Sequence, residues 1–125
     1  MTLSTLRKAH LSLTLFALTL VVAFAPAAFA HTHPAAMIPA ADSTVSAPGG
    51  VMIHFKEAVE PKFSHITVSN ATGHVINKEV SVVSSDGKMV SVPLPKLAPG
   101  IYTVNWVAVA VDSHRSQGDY KFTVK

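Results

Sequence analysis

The chain has 125 residues, 49% of them hydrophobic, no cysteine and a formal charge of +3. The missing thiols exclude Cys-based zinc sites, Fe–S clusters and cysteine nucleophiles. Arg7 and Lys8 carry most of the positive excess, so residues 31–125 hold 8 Lys and Arg against 7 Asp and Glu. That balance gives no electrostatic reason to expect nucleic acid or an anionic membrane as a partner.

Residues 1–30 read as a signal peptide. Arg7 and Lys8 form the charged start, Leu11 to Ala25 form an uncharged apolar run too short for a confident transmembrane span, and Ala28-Phe29-Ala30 supplies the small-x-small cleavage pattern. Cleavage after Ala30 makes His31 the new N-terminus, with an α-amine and a ring nitrogen in one residue. Residues 31–125 are then one exported domain, long enough for a single core and not for two. With no disulfide available, packing must supply its stability.

Beyond His31 the sequence shows short β-rich runs between turn residues. Val51 to Phe55 alternates with Val, Ile and Phe on one face; His65 to Ser69 follows, then the turn Asn70-Ala71-Thr72-Gly73. Val80 to Val83 and Met89 to Val92, joined by Ser85-Asp86-Gly87, read as a hairpin. Pro99-Gly100 suits the centre of a type II turn. After it Tyr102, Val104 and Trp106 point one way, and Tyr120, Phe122 and Val124 repeat the alternation in the last strand. About seven strands with turns every eight to twelve residues indicate an all-β, immunoglobulin-like Greek-key sandwich or barrel. The Trp106 stripe is core on this reading.

The chemistry centres on Asp112-Ser113-His114. In an extended chain residues two apart face one side, so the carboxylate and imidazole can address one ion. With the amine and ring of His31 they make three nitrogens and one oxygen, a set suited to tetragonal Cu(II). His33, third from the new terminus, fits a competing amino-terminal chelating pattern. His54, His65 and His74 read as surface residues. Met37, Met52 and Met89 are scattered and read as packing residues. No catalytic triad is indicated by Asp112, Ser113 and His114.

Starting from His31, the segments Pro39 to Ser43, Phe55 to Ser64, Leu97 to Trp106 and Asp112-Ser113-His114 resemble the CopC-type periplasmic copper-resistance proteins over essentially all of residues 31–125. The resemblance implies a cupredoxin-like or immunoglobulin-like β-barrel that binds Cu(II) in the periplasm and passes it to an inner-membrane copper protein of the CopD type. It assigns His31, Asp112 and His114 to the Cu(II) site, and it makes Glu57 a nearby carboxylate through the matching Phe-x-Glu motif. Some members carry a methionine-rich loop for Cu(I) in the stretch corresponding to Ala71–Met89. Here that stretch holds only Met89, so no separate Cu(I) site is expected. The competing functions are a small copper redox enzyme with an N-terminal histidine and a metal-free exported sandwich module.

Overall fold

The computed structural model describes residues 32–125; the expected leader, its cleavage site and His31 lie outside them. Eight strands follow in order: β1 (Pro34–Ile38), β2 (Thr44–Val45), β3 (Gly50–Phe55), β4 (His65–Asn70), β5 (Val82–Val83), β6 (Met89–Pro93), β7 (Gly100–Val109) and β8 (Arg115–Val124). They form two four-stranded sheets, β1-β3-β6-β5 and β2-β8-β7-β4. The all-β sandwich expected from the alternation is what the chain builds, and β1 and the two-residue β2 join the sheet edges beyond the six runs named from the sequence.

Alternation assigns the faces. Val51, Ile53 and Phe55 of β3 and Val90 and Val92 of β6 turn inward from the first sheet, and Ile66, Val68, Tyr102, Val104, Trp106, Tyr120, Phe122 and Val124 from the second. Each large apolar side chain so buried contributes about 1.5–3 kcal/mol, which is how a domain without disulfides is held. Trp106 meets Phe55 edge-on across the sandwich at 5.5 Å, and Tyr102 stacks on Phe122 at 5.7 Å. The Tyr102 hydroxyl donates to the Ala98 carbonyl at 2.7 Å, tying the start of β7 to the loop before it, as in the tyrosine corner of immunoglobulin-like sandwiches.

Turn chemistry follows the sequence in two places. Asn70 Oδ1 accepts from the backbone N–H groups of Thr72 and His74, with Gly73 at φ 82°. The Val80–Val92 hairpin forms with a shorter first arm, Val82–Val83, and a second arm that runs on to Pro93; Gly87 takes φ 73°, and Asp86 Oδ1 accepts from the Lys88 N–H. The type II turn at Pro99-Gly100 does not form. Gly100 opens β7 opposite Val124 with φ 155°, whereas a type II turn needs about +80° at that position.

Candidate metal centre

β7 and β8 are ten residues each and pair in register from Gly100↔Val124 to Val109↔Arg115, so their connection is thrown to one end of the sandwich. There the chain reverses through Ala110–His114. The Ser113 N–H donates to the Ala110 carbonyl, and the Ala110 N–H to the His114 carbonyl, both at 2.8 Å. Ser113 closes the turn in the left-handed region at φ 74°, a conformation that costs a non-glycine residue roughly 1–2 kcal/mol.

This corrects the extended geometry expected of Asp112-Ser113-His114. The two side chains meet because the turn folds them together, not because a strand aligns them. Asp112 Oδ1 accepts the His114 backbone N–H at 3.1 Å, and Oδ2 lies 2.9 Å from His114 Nδ1. Those contacts, the backbone N–H first and the imidazole second, hold the Asp112 carboxyl below the usual carboxylate range. With Nδ1 engaged, Nε2 is the ring nitrogen left for a ligand. A carboxylate has about four lone-pair positions, so Asp112 keeps acceptor capacity after serving His114. Both side chains are more than half open or close to it, 50% for Asp112 and 58% for His114.

Two other segments converge on this end. Val59 bridges Ala110, the Glu60 N–H donates to the Val109 carbonyl at 2.7 Å, and the Val111 N–H to the Ala58 carbonyl at 3.3 Å. Buried Ser64 adds an acceptor for the Val109 N–H at 3.0 Å. Exposed Glu57 therefore stands one residue from a segment stitched to the Asp112 turn. β1 begins at the same end, because it runs antiparallel to β3 with Pro34 opposite Phe55, and the Lys56 N–H donates to the His33 carbonyl at 3.3 Å. Thr32, one bond from His31, is fully buried. The described chain thus starts tied to the end of β3, at the same end of the sandwich as the Asp112–His114 turn.

The remaining expectations divide. Trp106 is buried core. His33, His54, His65 and His74 are all exposed, and none of them is brought to Asp112 and His114 with a third donor: among the described residues no three His, Cys, Asp or Glu side chains gather as a metal cluster. Met37 packs against the core as expected. Met52 and Met89 do not; they occupy the outward-facing positions of β3 and β6. Sequence reasoning also missed the exposed apolar side chains Phe63 and Val111 that border this end. Their only signal is that apolar residues stand in turns, outside any alternating run. No helix among the described residues is long and apolar enough to cross a membrane.

The comparisons with known proteins agree on one family. The family model described as the CopC domain matches residues 35–125. Protein YobA of Escherichia coli K12 is 35% identical over 125 residues, with 98% of each chain covered. Copper resistance protein C of Escherichia coli is 36% identical over 114 residues, covering 85% of this chain and 90% of the relative. The crystal structure of CopC from Methylosinus trichosporium OB3b superposes with a TM-score of 0.71 at 30% identity, covering 76% of this chain and 94% of that one. A two-sheet sandwich whose matched region runs from β1 through the Asp112–His114 turn to Lys125 thus belongs to the CopC family.

Proposed function

We propose that the chain is exported to the periplasm, cleaved after Ala30, and there binds Cu(II) as cargo, which it buffers and hands to an inner-membrane copper acceptor by ligand exchange without turnover. His31 supplies its α-amine and ring nitrogen, Asp112 a carboxylate oxygen and His114 a ring nitrogen, the Asp112 contact with His114 Nδ1 giving way as the carboxylate turns to the ion. Nitrogen and oxygen donors of this kind favour Cu(II) over the other divalent first-row ions. Asp112 and Glu57 together balance the charge of a divalent ion at an end of the molecule that is open to solvent.

The observation that carries the reading is the Asp112–His114 pair, preordered by a turn that is itself tied to the segment beside the start of β1. The copper-resistance relatives support copper as the ion. A site at the surface, rather than in the core, suits release to a partner.

The test joins processing to coordination. Mass spectrometry of the exported protein is expected to find His31 at the N-terminus. A chain carrying one extra residue before His31 is expected to lose Cu(II) affinity by at least about tenfold, near 1.4 kcal/mol, with a changed visible spectrum. Unchanged affinity would remove the terminal amine from the ligand set. No binding tighter than micromolar would favour a metal-free module.

A further inference from the structure

A second group of donors lies on the outer face of the β1-β3-β6-β5 sheet, away from the end that carries Asp112. Alternation buries Val51, Ile53 and Phe55 and sends Met52 and His54 outward. On β6 the same alternation buries Val90 and Val92 and leaves Met89 on the outer side, half-buried. Register then sets His54 directly opposite Met89, with Met52 one position along the same face opposite Ser91.

Cross-strand neighbours on one face have Cβ atoms about 4.5–5.5 Å apart, and diagonal neighbours about 7–8 Å. An imidazole and two thioethers on flexible stems can therefore meet over one point of the sheet. On the β1 side the residue opposite His54 is Ala36, and on β6 the residue opposite Met52 is Ser91. Both are small, so the space above the sheet is left open. Next to Met52 it widens into a groove of about 460 Å³ whose margin includes Ile38, Gly50 and Pro93.

We propose that Met52, His54 and Met89 form a second metal site, for a soft monovalent ion, Cu(I) or Ag(I). Thioethers are the soft donors such ions prefer, and they are the only sulfur available in a chain without cysteine. The cross-strand partners on this face, Ala36, Ile38 and Ser91, include no carboxylate. The face therefore offers little to a hard divalent ion, while the imidazole and two thioethers give a three-coordinate set. Met37 is excluded by the same register: it lies opposite inward-facing Ile53 and packs on the core. Only the choice of Cu(I) as the physiological ion rests on the copper-handling reading; the donors stand independently of it.

The test uses silver(I), which needs no reductant, on the exported chain labelled at its methionine methyl groups, in chloride-free buffer. The Met52 and Met89 methyl resonances and the His54 ring are expected to shift together and saturate at one equivalent, with Met37 unmoved. The Met52→Leu/Met89→Leu pair keeps side-chain volume and is expected to weaken Ag(I) binding by about a hundredfold through loss of both thioethers, with the Cu(II) spectrum unchanged. Silver that shifts no methionine, or shifts Met37 equally, overturns the site, as does a double variant that binds silver as tightly as its parent. Methionine shifts in a protein that binds no Cu(II) would support this site and overturn the reading of His31, Asp112 and His114.

Discussion

Replacing Gly118 by alanine tests how tightly the core is packed beneath β7 and β8. Gly118 pairs with Trp106 across β7 and β8, and a Cβ placed on it would lie 2.8 Å from Trp106 Cζ2, 3.0 Å from Cε2 and 3.1 Å from Nε1. On backbone entropy alone alanine would stabilise a strand by about 0.5–1 kcal/mol. The clash opposes this, because the indole must recede by several tenths of an ångström and its retreat is blocked by Phe55, packed edge-on at 5.5 Å. Overpacking of that kind costs about 1–3 kcal/mol, so the net expectation is a loss of roughly 1–2 kcal/mol and a melting temperature lower by about 4–16 °C for a domain of this size. Calorimetry or urea unfolding followed by tryptophan fluorescence measures it. Trp106→Phe in the Gly118→Ala background removes the clashing ring atoms, and its cost there should be smaller than in the parent by at least about 1 kcal/mol. A Gly118→Ala protein that melts at a higher temperature than its parent would refute the reasoning, since the entropic gain would then have met no opposing contact.

Two further outcomes follow from the described contacts. Asp112→Asn keeps an acceptor for the His114 backbone N–H but loses the negative charge that faces the imidazole; Cu(II) affinity should fall about 10–100-fold with little change in melting temperature, as read by competition titration against a chromophoric chelator. Tyr120 has a buried hydroxyl without a hydrogen-bond partner among the described residues, and burial pushes its phenol up to about 12. A folded value above the unfolded one, near 10, means that its contribution is complete below pH 10 and is lost as pH rises towards 12. Tyr120→Phe should raise stability at pH 7 by about 1 kcal/mol and flatten the loss between pH 10 and 12, and equal alkaline unfolding of the two proteins would contradict it.

What the sequence could announce, and what it could not, separates along the line between local and non-local causes. β3, β4, β6 and β7 are visible because their inward residues are large and alternate with polar ones, and that alternation is a local property. The first half of β8 is invisible for the converse reason. Arg115, Gln117 and Asp119 face solvent, Ser116 and Gly118 face inward, and no apolar residue marks the strand; its existence is imposed by the long β7 beside it and by a tryptophan that leaves room only for glycine. The Asp112–His114 pair was readable as chemistry but not as geometry, since nothing about serine at 113 announces a left-handed residue until the turn's own hydrogen bonds require one. The methionines carry the point furthest. Met52 and Met89 are far apart in the chain and look scattered, yet the β3–β6 register brings them to one face beside His54, while Met37, nearer to Met52 in sequence, is turned to the other side. Donor sets on a sheet are defined by register, and register is settled by which face each strand must bury. The inward residues Val51, Ile53, Phe55, Val90 and Val92 thereby determine which outward side chains can share an ion.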